Sequence, residues 1–350
     1  MAQVAPNAEQ LRMITKVARL YHTRGMRQTE IAESLGISQA RVSRLLSAAE
    51  ENSIVRTVVV VPDGLYGDLE DELEKQFGLL EVHVVDAVGS DESTMVRDLG
   101  HAVSSVMEVL PLEAKVIGFT SWSRSLREFA ANMRPLQKSS ATAVVEMLGG
   151  VGPPSVQHEA TLATERLARS TGSTPMFLRA PGVVASAEVR EAVLNQDSHA
   201  QAALKELDTM DIALVGIGHC EIVPPLVAGD NFFSEQQFEM SRKLGAVGQV
   251  NLRFINEKGE PIESELDELV IGVTLDQLKK TPRRIGVAGG PSKYDAIYAA
   301  VVGGWVNVLV TDVDTARHLL ARKGVLIDSD RTEPYPHTAG SGESTNPPGR

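Results

Sequence analysis

Apolar residues in the first sixty positions recur at helical spacing. Leu11, Ile14, Val17, Ala18 and Tyr21 line one stripe of a leading helix over residues 9–22. In RQTEIAESLGISQARVSRLL (27–46), Ile31, Ala32 and Leu35 repeat at the same period. Gly36 breaks the run, Ile37 plugs the gap, and Val42, Leu45 and Leu46 resume it. The pattern predicts two short helices joined by a tight turn, the second running to about Asn52. Ala32 supplies the small residue where such helices cross, and Gly36 tolerates the positive φ the turn demands. Ser38 offers a side-chain acceptor to the first N–H groups of the second helix. Arg27 is a poor cap for the first helix and leaves that work to Thr29 or water. Turning the apolar set inward puts Gln39, Ala40, Arg41, Ser43, Arg44 and Ser47 on the open face, with Gln28 and Thr29 opening the first motif helix. An amphipathic hairpin with a solvated face is the plainer alternative. The small residue, the glycine and the apolar positions all fall at helix-turn-helix offsets, which favours a DNA-reading head. Arginine and glutamine on that face match guanine and adenine edges in a major groove.

Residues 54–62 (IVRTVVVVP) are strand-like and leave the head as a linker or edge strand. Leu65, Leu69, Leu73 and Phe77 then mark a helix that Gly78 stops. From residue 81 the pattern alternates short apolar strands (82–85, 115–119, 142–148, 174–178, 212–217, 284–287, 306–310) with helical runs (95–110, 123–133, 158–170, 189–195, 292–302). A last helix spans 314–322. Such alternation implies an α/β body with a mainly parallel, doubly wound, Rossmann-like sheet covered on both faces. Residues 246–255 read as an inserted strand entering a hairpin turn at Asn256-Glu-Lys-Gly259. The segment 329–350 is polar, rich in Pro and Gly and aperiodic, and is expected to be disordered. The expected division is therefore a head with its linker strand at 1–61, a ligand-binding and oligomerisation domain at 62–328, and a tail at 329–350.

Length agrees, since 350 residues suit two or three domains and a hydrophobic fraction of 43% supports a sizeable core. Net charge of −12 at first argues against nucleic acid. Residues 1–60, however, hold eight Lys/Arg against five Asp/Glu, a net of +3, so the remainder carries −15. A mildly basic head on an acidic body suits a DNA reader whose body is repelled by phosphate. Cys220 is the single cysteine, which excludes an internal disulfide and points to a reducing, cytoplasmic setting. Neither a secretory signal nor a membrane-spanning run is visible. Cys220 reads as a small buried hydrophobe, and no His/Cys cluster has metal-ligand spacing, so no metal or cofactor is expected.

Ligands of such sheets bind outside the carboxyl ends of the strands. Four loops there have suitable composition. Gly118-Phe-Thr-Ser-Trp-Ser-Arg-Ser125 opens a helix with hydroxyls from Thr120, Ser121 and Ser123 and the cation Arg124, suited to a phosphate or a hydroxyl-rich sugar. Leu148-Gly149-Gly150-Val151-Gly152 and Gly216-Ile217-Gly218 end strands with bare backbone. Ala288-Gly289-Gly290-Pro291-Ser292-Lys293 sets two glycines before a helix starting at Pro291, with Lys293 in the first turn as a phosphate clamp. A lone Gly-Gly is usually a tight turn and a lone lysine usually a solvated one. Four such loops on one sheet favour a polar or anionic small-molecule site.

Taken in order, QTEIAESLGISQARVSRLL, LEKQFGLLEVHVV, VIGFTSWSRSL, VEMLGG, IALVGIG, GAVGQVNLRF, IGVAGGPSKYDAI and VNVLVTDVDTA resemble bacterial transcriptional regulators of the SorC family, also called the DeoR-type sugar-binding regulators. The resemblance covers residues from about 10 to 325. It implies an effector domain similar to sugar-phosphate isomerases and glucosamine-6-phosphate deaminase, in dimers or tetramers whose affinity for double-stranded operator DNA changes when a sugar, sugar phosphate or polyol binds. It also implies phosphate on the loop Thr120–Ser125, with Lys293, Arg253 on the inserted strand and Asp312 near the pocket mouth. Three positions depart from the family pattern. Gln249 stands where an acid is common, Ser53 replaces a helix-ending glycine, and Arg27 replaces a capping threonine. Arg124 either pairs with phosphate or points away while Trp122 packs beneath a sugar ring. An isomerase or deaminase with a helical oligomerisation head is the alternative. Its acid–base candidates, Asp211, Glu221, Glu146, Asp312 and His158 with Glu159, form no diagnostic spacing, and an enzyme has no use for Arg41 and Arg44 on a groove-sized helix. A third reading is a DNA-binding protein whose body only oligomerises.

Overall fold

The computed structural model describes residues 7–55, 65–86, 91–136, 140–223, 226 and 230–325. The chain divides into two compact units, Met1–Pro62 and Asp63–Arg350. Most of the expected linker strand and the whole expected tail lie outside the described residues.

The first unit is helical. Helix α1 (Ala8–Ala18) is capped by Asn7, whose side chain accepts from the Gln10 N–H at 2.9 Å while Gln10 returns the bond to the Asn7 N–H. It runs into one wider π-type turn, Arg19–Thr23. Helices α2 (Gln28–Leu35) and α3 (Gln39–Glu51) follow. Their junction is the expected one, with Gly36 left-handed at φ 65° and the Ile37 N–H reaching back to the Ala32 carbonyl at 3.0 Å. Val17, Ile31 and Val42 are wholly buried together with Ala32 and Leu46. Two sequence expectations change. Leu11 and Tyr21 of the leading stripe are exposed, because three short helices enclose only a narrow core. The Arg27 end is served by neither Thr29 nor Arg27: the Glu30 carboxylate accepts from the Arg27 N–H at 2.8 Å.

The second unit is a twisted α/β sheet. Its elements in chain order are α4 (Gly67–Phe77), β1 (Glu81–Val85), α5 (Glu92–Val109), β2 (Val116–Phe119), α6 (Arg124–Asn132), β3 (Ala143–Glu146), α7 (Pro154–Thr171) and β4 (Thr174–Met176). There follow α8 (Ala187–Gln196), α9 (Ser198–Glu206), β5 (Ile212–Gly218), α10 (Glu235–Lys243), β6 (Ala246–Val250), β7 (Arg253–Asn256), α11 (Leu275–Lys280), β8 (Arg283–Val287), α12 (Tyr294–Val302), β9 (Val308–Asp312) and α13 (Val313–Arg322). Strand order is β1-β9-β8-β5-β2-β3-β4, and all these pairings are parallel. Alternate residues feed two cores. Ile117, Phe119, Leu214 and Val310 face α5, α6 and α7. Val145, Val215 and Leu309 pack on the opposite face with the apolar sides of α12 and α13. From β2 the chain steps outward through β3 and β4, then returns to β5 on the other side of β2. Connections therefore diverge at the carboxyl ends of β2 and β5, where such sheets place ligand crevices.

The inserted segment is two strands, not one. Strands β6 and β7 are antiparallel and turn at Asn251-Leu252, both left-handed at φ 48° and 61°. β6 also pairs antiparallel with the end of β5, Gly218 opposite Gln249. The hairpin carries its own aromatic cluster of Phe232, Phe233, Phe238 and Phe254. Among the helical expectations, the run from Pro291 begins as a 3₁₀ turn, Pro291–Lys293, and the α-helix starts at Tyr294. Leu65, expected on the α4 stripe, is exposed. No helix among the described residues is long and apolar enough to cross a membrane.

Candidate functional sites: an open helix face and a cationic cavity

On α3 the apolar positions Val42, Leu46 and Ala49 are buried, which turns Gln39, Ala40, Arg41, Ser43, Arg44 and Ser47 outward, all exposed. Ser38 caps the helix through its hydroxyl, accepting from the Arg41 N–H at 3.3 Å. Arg44 leans on its own helix, its Nε donating to the Ala40 carbonyl at 3.3 Å. No ion pair among the described residues engages Arg41 or Arg44. Gln28 and Thr29 sit at the start of α2, Gln28 partly covered and Thr29 exposed. The result is an uncovered, cationic helix face presented by a capped, packed pair of helices.

In the α/β unit a cavity of about 480 Å³ opens at the divergence of β2 and β5. The start of α6 contributes Ser123, Arg124, Ser125 and Arg127, the end of β5 contributes Gly216 to His219, β6 contributes Gln249, and the loop after β8 contributes Gly289 to Lys293. Glu92, Met95 and Leu99 of α5 form a further wall. Ser123 sits at the N-cap of α6 without a side-chain bond to the helix, so the first-turn N–H groups and the helix dipole remain available to an anion. The Gly289-Gly290 backbone is pinned from behind: buried Asp312 accepts from the Gly290 N–H at 2.9 Å while capping α13 through the Asp314 and Thr315 N–H groups. A β-carbon at Gly289 would lie 2.3 Å from the Asp312 carboxylate, so this loop needs a residue without one.

Charge in the cavity is unbalanced. Arg124, Arg127 and Lys293 meet one lining carboxylate, Glu92, which is ion-paired with Arg124. Burial holds the Lys293 ammonium below the ordinary lysine range; Arg124 adds to the depression and Glu92 partly offsets it. His219 is likewise held low, first by burial and then by Lys293. Arg127 is held low by burial, although Glu159 opposes the shift from 3.4 Å, and its guanidinium also donates to the Trp122 carbonyl. Glu92 is drawn down chiefly by its hydrogen bond from Arg124 and stays ionised.

Not every expected residue reaches this cavity. Of the expected effector-binding set, Trp122, Ser123, Arg124, Ser125, Gly218, Gln249, Gly289, Gly290 and Lys293 line it. Thr120 is buried and donates to the Asn251 side chain at 3.0 Å, tying the β2 loop to the hairpin. Ser121, Gly149 and Gly150 line a neighbouring cavity of about 420 Å³ with Glu146 and Gln157, and Trp122 borders both. Arg253 lies outside the lining of this cavity: its buried guanidinium donates to the carbonyls of Val273 and Asp267 and pairs with the Asp267 carboxylate at 3.3 Å. Its Nε and one terminal nitrogen are taken up in this way, which ties β7 to the segment around Asp267 and Val273. Asp312 stands behind the glycine loop and acts on the cavity through it. Sequence reasoning missed Glu92, Arg127 and His219. Arg127 was signalled by its place one turn beyond Arg124; Glu92 had no local signal, since only packing of α5 on α6 brings it there.

The acid–base candidates are scattered. Asp211 is bound to Lys115 at 2.9 Å and to the Val116 N–H, Glu221 lies beside His219, and Glu159 pairs with Arg127. Glu146 is buried in the second cavity, its carboxyl raised by burial against hydrogen bonds from Thr164, the Leu178 N–H and Ser121. Cys220 is buried and its thiol pushed up to about 12, so it behaves as an inert apolar group. No cluster of three or more metal-ligating side chains occurs among the described residues.

The family described as "Putative sugar-binding domain" matches residues 66–321. The deoxyribonucleoside regulator of Bacillus subtilis (strain 168) is 31% identical, covering 89% of this chain and 98% of its own length. The sorbitol operon regulator of Klebsiella pneumoniae is 30% identical over 90% of this chain and 99% of its own. The chain belongs to the SorC family of transcriptional regulators. Membership sets aside the isomerase or deaminase reading. The crystal structure of the full-length Klebsiella pneumoniae regulator superposes at a TM-score of 0.67 with 27% identity, covering 90% of this chain and all of that one. The putative sugar-binding domain of a DeoR regulator from Pseudomonas syringae pv. tomato superposes at 0.57 with 32% identity, covering 73% of this chain and all of that one. The regulator therefore shares both the α/β architecture and the preceding helical head with a solved relative.

Proposed function

We propose that the regulator reads duplex operator DNA through α3 and that its DNA affinity is set by a phosphorylated sugar or polyol held in the cationic cavity. The observation that carries the effector class is Lys293: its ammonium is desolvated, takes part in no ion pair among the described residues, and shares the cavity with Arg124, Arg127 and an uncapped helix N-terminus. A desolvated ammonium without a carboxylate partner is unfavourable unless an anion enters. The hydroxyls of Ser123 and Ser125 and the amide of Gln249 suit the sugar portion. Relatives named for sorbitol and for deoxyribonucleosides support a polyhydroxy compound.

On the DNA side, Gln39, Arg41, Ser43 and Arg44 read base edges, while Gln28, Thr29, Ser38 and Ala40 approach the backbone and neighbouring bases. The regulator acts in the cytoplasm as a dimer or tetramer, because two heads are needed to occupy half-sites one helical turn or its multiples apart. Effector closes the loops Gly118–Ser125 and Gly289–Lys293 about itself and alters the spacing of the heads. Coupling of about 1–3 kcal/mol, usual for allostery, changes DNA affinity by roughly five- to 150-fold. Lys293→Ala tests the reading: the variant keeps its fold and operator affinity but loses the response to a panel of sugar phosphates. A normal response would remove the cavity as the sensor.

A further inference from the structure

We propose that Glu92 is a built-in competitor for the effector's anionic group, its carboxylate paired with Arg124 in the cavity that Lys293 also lines until the effector takes its place. This rests on the reading of the cavity as a site for an anion.

Glu92 is the sole carboxylate among the described residues lining the cavity, and it is paired with Arg124. Its field reaches beyond that partner and supports the charged forms of both Lys293 and His219. One acid thus serves the cations that an incoming phosphate would need.

The pair is not required by the fold. Helix α5 is capped by Asp91, which accepts from the Ser93 and Thr94 N–H groups at 2.8 and 3.0 Å. Leu99, Val103, Val106 and Met107 anchor the helix, all deeply buried. Glu92 itself is 70% exposed and Arg124 42%, so the pair is of the kind that contributes little to stability. A weak, solvent-facing pair on an anchored helix can be opened by moving one side chain. A phosphate dianion offers Arg124 and Lys293 more charge and more acceptor oxygens than one carboxylate does. Once it is bound, Glu92 becomes a like charge at the same site and must swing into solvent. The consequence is selectivity: neutral sugars cannot displace Glu92, and monoanions do so poorly.

The test uses the full-length chain, wild type and Glu92→Gln, titrated calorimetrically with inorganic phosphate at constant ionic strength. Thermal unfolding of the two proteins confirms an equal fold. Glu92→Gln is expected to bind phosphate about tenfold more tightly, equivalent to about 1.4 kcal/mol. Adding Lys293→Ala to that variant should remove the gain. Equal phosphate affinity in wild type and Glu92→Gln overturns the competitor role while leaving the anion site standing. Weaker binding in Glu92→Gln also overturns it and makes Glu92 a ligand contact. If neither protein binds phosphate or sugar phosphates but both bind a free sugar or polyol, the anion site falls and the competitor with it.

Discussion

The regulator holds positive charge in two contrasting ways. On α3, Arg41 and Arg44 stand in open solvent, with no carboxylate paired to either among the described residues. In the cavity, Arg127 and Lys293 are desolvated, and Arg124 is shared with Glu92. Solvated cations on a convex helix suit a long polyanion, whose many phosphates each need one exposed partner and whose counterions are released on binding. Desolvated cations in a concave site suit a small ligand, which they must hold from several sides at once. On the proposed reading the same residue types address two anions of different size, and the backbone beneath them decides which.

The largest effect that would break this contrast is salt. Between about 50 and 200 mM salt, operator affinity should fall by roughly 10³-fold if six or more phosphates are contacted. Effector affinity should fall far less, since the desolvated Lys293 and Arg127 are screened weakly. Parallel fluorescence-anisotropy and calorimetric titrations compare the two, and equal slopes would erase the distinction. Arg253 provides a third case, a cation consumed by the fold. Arg253→Ala strands the Val273 and Asp267 carbonyls and should cost about 3 kcal/mol in denaturant unfolding. A variant of normal stability that fails only in effector binding would return Arg253 to the site. Next, Arg44→Ala should weaken operator binding by about 1–3 kcal/mol and leave effector titrations unchanged. Unchanged operator affinity would take α3 out of the interface. Smallest is Ser53→Gly. Ser53 follows α3 at φ 57°, a conformation that costs an L-residue about 1–2 kcal/mol, so glycine should raise the head's stability by about 1 kcal/mol and leave the cavity untouched. A head with unaltered or lower melting temperature would show that Ser53 is not strained.

How much was legible differs between the two regions for a physical reason. The head is built from residues within a few turns of one another, so Ile31, Ala32, Gly36, Ser38 and Val42 announce their roles by spacing. In the α/β unit the strand–helix alternation was equally plain, as were the loops carrying Arg124 and Lys293. Ambiguity lay where one sequence pattern serves two geometries. The run 246–255 alternates apolar and polar residues as one strand would, and only the left-handed pair Asn251-Leu252 makes it a hairpin. Arg253 looks like a ligand residue until Asp267 and Val273 are folded over it.

Local periodicity and turn chemistry sufficed for the helix-turn-helix and the parallel α/β class, and the resemblance of eight short stretches in order pointed to the family. These features depend on neighbours a few residues apart and survive in the linear order. Tertiary structure alone decided that the loop after β2 is split between two cavities, that Asp312 braces the glycine loop from behind, and that Glu92 meets Arg124 across 32 positions. Those meetings follow from strand order and helix packing, which bring together residues whose separation along the chain carries no trace of their contact.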